Sequence, residues 1–278
     1  MMRAVAALTR REILRLGRNP QAIFTSLLLP ILYLLLFGQA FDLGRLGGGQ
    51  VPHQYFLDAY RGAPTYFSYF AAGMTGFVAV TATLFLGANV IFDRLFGVLK
   101  RTTATPASAS AIFGSRLVAG SIQPIGLAFL VLGLSILLGH VGLAGLQVTA
   151  AVSALGILEI ILALVLLSMM FAALFLAVGF SLEQPQTYFA VVNLINLPVL
   201  LTSAALFPWG LMPPWFKAIA SFNPITLAVE VLRVNLFAGA AAYYPYSSGV
   251  YLLGLLAWAI PMFAIAAVLA RRALGPKR

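Results

Sequence analysis

Residues 206–233 read LFPWGLMPPWFKAIASFNPITLAVEVLR. Pro213 and Pro214 open a short helical pattern here, and Asn223 with Pro224 opens a second. Proline suits a first helical turn, where its missing N–H has no partner to lose, and asparagine is a strong N-cap. Each segment falls short of the roughly 20 residues that a bilayer crossing takes. Both nevertheless carry Trp, Phe, Ile and Leu with few charges. The stretch therefore predicts a helical hairpin over 208–237, marked by Pro208, Pro213, Pro214, Asn223 and Pro224, that dips into the outer face of a membrane protein without crossing it. Glu230 and Arg233, three residues apart, are expected to pair on one helix face as a local brace rather than a gate.

Composition agrees with a membrane setting. The chain is 62% hydrophobic and 9% charged, with a mean hydropathy of +0.99, whereas a soluble domain is about half apolar and a quarter charged. Its apolar stretches have helix length and no strand-like alternation, which predicts an all-α polytopic membrane protein and disfavours a β-barrel. The net charge is +10, but the basic residues sit at the ends of apolar segments. That is an orientation signal, not the footprint of a nucleic-acid surface. With no cysteine, disulfides, thiolate metal sites and thiol redox chemistry are excluded.

Outward from the hairpin, an apolar run over 187–207 precedes it, carrying Asn193, Asn196 and Pro198. The two asparagines, three apart, are expected to share a face, serving either interhelical hydrogen bonds or a polar strip beside a translocation path. Tyr243, Tyr244 and Tyr246 follow the hairpin, as an interfacial belt would, before a run over 251–270. Further back, an apolar run over 148–180 holds Glu159, an intramembrane carboxylate and so a candidate functional group. Its length predicts a tilted or projecting helix. A run over 111–138 contains Gln123–Pro124, where a kink is expected. Residues 93–116 form the longest polar interruption inside the bundle, with a loop over 93–110: a short helix reaching Arg101, a Thr-rich turn ending at Pro106, then a helix re-entering the membrane. This is either a solvated positive loop or a docking knob for a cytoplasmic protein, and its internal order favours the knob.

In the run over 64–92, Ala71, Thr75, Ala79, Thr83 and Gly87 recur at a four-residue interval. Such a stripe of small side chains lets helix backbones approach closely in lipid. The run over 23–41 is preceded by 3–18, where Val5, Leu8, Ile13 and Leu16 share one side of a helix and Arg3, Arg10, Arg11, Arg15 and Arg18 gather opposite. A basic amphipathic helix of this kind lies in the headgroup layer, alone or also gripping a partner. Gly38-Gln39-Ala40 resembles a signal-peptidase site, but the length of the run and the ordered pattern before it argue against cleavage.

Six spans put both termini on one side. That side collects Arg3, Arg10, Arg11, Arg15, Arg18, Arg94, Lys100, Arg101, Arg116, Arg271, Arg272, Lys277 and Arg278, and the other only Arg45, Arg61, Lys217 and Arg233. The positive-inside rule then places both termini in the cytoplasm and the hairpin outside. No GxxxxGK[ST], HExxH or GxSxG occurs, so the chain carries no phosphate-cradling loop and no recognisable hydrolytic motif of its own.

In this order and spacing the chain resembles the membrane subunit of type-2 ATP-binding-cassette exporters, of the daunorubicin-resistance and nodulation-factor export type. The resemblance covers nearly the whole sequence: the basic amphipathic helix, the segment DRLFGVLKRTTATP, and the proline-punctuated FPWGLMPPWFKAIASFNPITLAVEVLR. Where the family often has an acidic–Arg–Glu-like run entering its coupling loop, only Asp93–Arg94 stands here. The resemblance implies a single permease domain that is not an enzyme and binds no cofactor or metal. It would pair with a second copy or a paralogue above cytoplasmic ATPase subunits, which hold the ATP and Mg. Arg10, Arg11, Glu12 and Arg15 would rest against the ATPase. Asp93, Arg94, Lys100, Arg101, Thr105 and Pro106 would belong to the coupling helix seated in it. The cargo, a drug, lipid or glycan, would pass near Thr83, Glu159, Asn193, Asn196 and Pro198. Two other readings stay open: a gradient-driven carrier using Glu159, and a membrane scaffold that recruits a cytoplasmic partner.

Overall fold

A computed structural model describes residues 20–40, 53–99 and 109–274. Among these residues every regular element is helical: α1 (Pro20–Ala40), α2 (His53–Ala59), α3 (Tyr66–Thr81), α4 (Leu84–Leu95), α5 (Ala109–His140), α6 (Ala154–Ser181), α7 (Pro185–Leu201), α8 (Pro214–Phe222), α9 (Pro224–Leu236) and α10 (Ser248–Leu274). Short 3₁₀ turns cover Trp209–Leu211 and Ala240–Tyr243. Four stretches are long and apolar enough to cross a membrane: Tyr66–Leu95, Ala111–His140, Ala154–Ser181 and Ser248–Ala273. Leu27–Gly38 and Pro185–Leu201 are shorter apolar helices.

Local chemistry sets the boundaries. Thr65 caps α3 by accepting the Ser68 N–H at 3.1 Å, and Ser153 caps α6 by accepting the Gly156 N–H at 3.0 Å. Pro185 occupies the first turn of α7. The apolar rod from α3 into α4 is interrupted at Ala82–Thr83. There the Thr83 N–H reaches the Val80 carbonyl at 3.0 Å and the Leu86 N–H reaches the Thr83 carbonyl at 3.1 Å. These i→i−3 bonds tighten one turn without breaking the rod. Helix α5 runs on through Pro124 as one element.

Two apolar runs are longer than the helices they form. The run over 148–180 becomes helical only at Ala154, because the Thr149 and Ala150 N–H groups bond instead to the Leu236 carbonyl at the end of α9, at 3.1 and 3.2 Å. The run over 187–207 stops being helical at Leu201, since the carbonyls of Val199, Ala204 and Ala205 are claimed by side chains of the hairpin.

Helix α6 is the axis of the packing. It lies most extensively against α10 and also contacts α4, α5 and α9. Its C-terminal half is buried all round, from Leu164 and Leu167 to Phe175 and Phe180, while Leu155, Ile157 and Leu158 near its start face outward. The small-residue stripe is buried throughout: Ala71, Thr75, Ala79 and Thr83 are each 0% exposed. It lets helices nearly touch. A Cβ on Gly87 would lie 2.2 Å from the Phe175 carbonyl oxygen, and one on Gly179 would lie 2.4 Å from that of Gly87.

Helix α9 is wedged among α3, α6 and α10, and every residue from Pro224 to Arg233 is buried. The second arm of the hairpin is therefore core, and only α8, with Trp215, Ile219 and Phe222 exposed, has a surface character. Cross-connections define two ends. At one end the Gln147 N–H meets Ser68 and the 149–150 strand of chain meets Leu236, which groups the start of α3, the α5–α6 connection and the hairpin. At the other end lie the close of α4, the start of α5 and the α6–α7 turn.

Candidate functional site

Buried charge marks the hairpin end. Arg61 follows α2 and has φ 50°, the positive-φ non-glycine position among the described residues, and Gly62 after it has φ 79°. An L-residue in that region costs about 1–2 kcal/mol. The turn aims the Arg61 guanidinium inward, where Nη1 donates to Glu230 Oε1 on α9. The guanidinium also lies 3.6 Å from the Trp209 ring centroid and 4.8 Å from that of Tyr244. Two aromatic faces and a carboxylate thus surround one cation. Arg61 and Glu230 are only 7% and 3% exposed, so each is the compensation for the other's loss of water. Burial pushes the Tyr244 phenol above its ordinary pKa, and it stays neutral beside them.

The expected Glu230–Arg233 brace is not the pairing found. Arg233 donates to the carbonyls of Ala204 and Tyr69, both at 2.9 Å, and of Ala205 at 3.4 Å, and it stacks 3.4 Å above the Tyr69 ring. The Tyr69 hydroxyl donates to the same Ala204 carbonyl at 3.1 Å and to Phe207 at 2.9 Å. The physical reason is demand. A helix end leaves carbonyls without intrahelical partners, and the non-helical residues after α7 place them where α9 passes. A fully buried arginine with several donors satisfies them, and Glu230 is left to a cation from another element.

Asn223 fulfils its expected capping role and adds a tether. Its Oδ1 accepts the Ile225 N–H at 2.9 Å, while Nδ2 donates to the Val199 carbonyl at 2.6 Å and to Thr202 Oγ1 at 3.1 Å. Pro208 and Pro213 stand in extended backbone just before their helical turns, and Pro214 and Pro224 open α8 and α9. Asn223→Ala is expected to lower stability by about 1–2 kcal/mol, read as a fall in the unfolding midpoint of the purified protein. Asn223→Ser, which keeps a capping oxygen and loses the tether, should fall between.

At the opposite end, Asp93 on α4 accepts a hydrogen bond from Arg116 Nη2 on α5 at 2.8 Å, both side chains being buried. Arg94 beside it donates from Nη1 to the Leu182 carbonyl at 2.7 Å and from Nη2 to the Phe180 carbonyl at 2.6 Å. Those carbonyls close α6, where the helix dipole is negative and a cation is favoured. The two helices flanking the 100–108 segment are therefore clipped to each other and to the last turn of the central helix. No metal-holding cluster of His, Cys, Asp or Glu occurs among the described residues. The arrangement is suited to passing on a displacement.

Residues 3–237 match the family of ABC-2 type transporters. The chain belongs to the ABC-2 type transporter family. It is 29% identical over 235 residues to the putative transport permease ycf38 of Porphyra purpurea, covering 84% of this chain and 74% of that protein. It is 23% identical over 234 residues to the daunorubicin resistance ABC transporter permease protein DrrB1 of Streptomyces coeruleorubidus, covering 84% and 75%. With the probable doxorubicin resistance ABC transporter permease protein DrrC of Mycobacterium tuberculosis it shares 24% over 260 residues, covering 94% and 84%. The chain is thus a membrane-embedded ABC transporter permease.

Within this ABC-2 permease the remaining candidate residues scatter. Thr83 is fully buried, and its hydroxyl is satisfied by the Val80 carbonyl at 2.6 Å. Glu159 sits in the second turn of α6, half-buried, and accepts from Asn235 Nδ2 at 2.9 Å. Asn193 and Asn196 part company: Asn193 is exposed and Asn196 is buried, with its Oδ1 unbonded. Three residues on a helix turn 300°, leaving the two side chains 60° apart, and the edge of the α7 contact falls between them. Pro198 is exposed on α7 and its carbonyl accepts the Thr202 hydroxyl at 2.7 Å. Arg10, Arg11, Glu12, Arg15, Lys100, Arg101, Thr105 and Pro106 lie outside the described residues. Sequence reasoning missed Arg61, Tyr69, Trp209 and Arg116 as site residues and gave Tyr244 an interfacial role, whereas it is buried against Arg61. Only the charge of Arg61 and Arg116 offered a signal, and both were read as orientation markers.

Proposed function

We propose that this permease is the membrane half of an ATP-driven exporter, working as a dimer of permeases above separate cytoplasmic ATPase subunits that bind ATP and Mg. The observation that carries the reading is the stem made by Asp93, Arg94 and Arg116. Segment 93–110 is the coupling element in this reading, with Lys100, Arg101, Thr105 and Pro106 presented to the ATPase. A push on it reaches the last turn of α6 through Arg94 and reaches α5 through the ion pair, with little slack. Arg10, Arg11, Glu12 and Arg15, on an interfacial helix over 3–18, make the second contact with the ATPase.

The topology proposed has six spans, contained in the apolar runs over 23–41, 64–92, 111–138, 148–180, 187–207 and 251–270, of which the fourth is helical from Ala154 and the fifth to Leu201, with both termini cytoplasmic and 208–237 as a re-entrant hairpin at the outer face. The grouping of Arg61, Trp209 and Glu230 at one end and Asp93, Arg94 and Arg116 at the other supports it. An impermeant thiol reagent is expected to label Lys217→Cys in intact cells and to spare Arg101→Cys. The reverse pattern would overturn the orientation.

The cargo is an amphipathic or lipid-linked molecule taken from the cytoplasm or inner leaflet, consistent with relatives named for daunorubicin and doxorubicin resistance. Thr83, Asn193, Asn196 and Pro198 are assigned to helices that line the path or pack behind it. In proteoliposomes holding the permease and its ATPase, ATP should drive movement of daunorubicin, and Glu159→Gln should transport normally. Transport that persists without ATP at a held proton gradient, and that Glu159→Gln abolishes, would assign a gradient-driven carrier instead.

A further inference from the structure

A cavity of about 580 Å³ lies between the hairpin and α10, lined by Arg61, Glu230, Tyr251, Leu227, Trp258 and Pro261 among others. That is within the range of sites that enclose drug-sized ligands. Its two ends differ. Tyr251, in the first turn of α10, lies against Glu230. Farther along α10, Gly254 meets Leu227, and Trp258 Nε1 donates to the Phe222 carbonyl at 2.7 Å. Helices α9 and α10 thus run antiparallel, with the charged pair beside the start of α10 and an apolar wall beyond it. From Val250 to Pro261 the lining follows α10 for about 16 Å at 1.5 Å per residue. One leaflet of hydrocarbon is about 15 Å deep. Phe222, Tyr246, Val250 and Trp258 line the cavity and are also exposed, at 75%, 58%, 45% and 39%. The cavity therefore opens sideways onto an apolar surface.

The charged end is not electrically spent. Among the described residues Arg61 bonds through Nη1 to Glu230, leaving its other donors at the cavity wall. Arg233 stands one turn along α9 from Glu230, so the cluster holds two guanidinium charges against one carboxylate. We propose that this cavity is a lateral binding site for an amphiphile with a phosphate head group, its head at Arg61 and its chain along α10 one leaflet deep. The placement in the outer leaflet rests on the topology proposed above; the binding itself does not.

Photoactivatable phosphatidylglycerol, with the reactive group midway along one acyl chain, is the probe, applied to the purified full-length protein in detergent micelles. Crosslinks are expected on peptides containing Phe222 and Trp258. Ala257 lines the cavity from an exposed position on α10, so Ala257→Phe fills it without touching the core. That variant should reduce labelling about tenfold while keeping the wild-type unfolding midpoint. A matching probe with an uncharged diacylglycerol head should label at least several-fold less if Arg61 holds the phosphate. Wild-type labelling in Ala257→Phe, or crosslinks confined to other helices, would overturn the site. Equal labelling by the two head groups would overturn the role of Arg61. A site occupied by the exported cargo predicts that daunorubicin competes with the lipid probe, and a resident bilayer lipid predicts that it does not. Failure of the thiol-labelling topology would move the site to the other leaflet and leave these outcomes unchanged.

Discussion

Glu230→Ala is expected to destabilise the permease by about 3–5 kcal/mol, because it leaves the largely buried Arg61 cation without its carboxylate. The loss has several parts. The guanidinium keeps its two aromatic neighbours, Trp209 and Tyr244, but a ring quadrupole returns only about 0.5–2 kcal/mol of what a carboxylate supplied. The left-handed backbone at Arg61 is closed by the Gly62 N–H on the Leu57 carbonyl at 2.8 Å, so the turn should persist and keep the unpaired cation in place. Arg61→Ala leaves the Glu230 carboxylate without its ion-pair partner and should cost a similar amount. The paired change Arg61→Met with Glu230→Leu removes both charges together and is expected to recover most of the stability, since a buried pair exchanged for apolar groups of like volume is nearly neutral. Fluorescence-detected size exclusion after a heating series reads all three. Single variants as stable as the wild type would show that the pair is not structural.

Gly73→Val is expected to prevent assembly of the bundle altogether. A Cβ at Gly73 would stand 1.7 Å from the carbonyl oxygen of Ala205. The obstruction is backbone, and it is the same stretch whose carbonyls are held by Arg233 and Tyr69. Neither side can yield by changing rotamer, so the cost should exceed the roughly 1–3 kcal/mol of ordinary overpacking. Gly126→Ala and Gly133→Ala are the controls: both lie inside α5, and an added Cβ meets nothing within 4 Å. Those changes should be neutral or stabilising by up to about 1 kcal/mol. Expression of folded, monodisperse protein separates the cases.

Local features of the fold were legible in the sequence because they depend on neighbours along the chain. Asn223 and Pro224 announce a helix start by type alone, and the structure adds only where the spare Asn223 amide goes. The Ala71–Gly87 stripe announces close packing by period, and the burial of its members bears this out. Helix lengths were less legible. Residues 148–153 and 202–207 are apolar enough to extend their helices, yet their backbone groups bond to the Leu236 carbonyl, Thr226, Tyr69 and Arg233. Hydropathy carries no information about such competition. Least legible was the pairing of Glu230. Helical spacing points to Arg233, whereas the partner found is 169 residues away, on a loop that reads as an ordinary polar connection. Burial decides that contact, and burial is a property of the assembled bundle.

The stem at Asp93, Arg94 and Arg116 carries the mechanical account, and its prediction concerns two rates measured together. ATP hydrolysis and movement of daunorubicin, the test cargo of the proposed function, should be followed in the same proteoliposomes, holding the permease with the proposed ATPase partner and either the wild-type sequence or Lys100→Glu with Arg101→Glu. Wild type should show the two rates rising and falling together. The charge-reversed protein should keep hydrolysing ATP while transport falls about a hundredfold, the factor that a misplaced contact far from the chemistry can cost. Transport as tightly coupled to hydrolysis as in the wild type would contradict the assignment of 93–110 as the element through which the ATPase drives this permease.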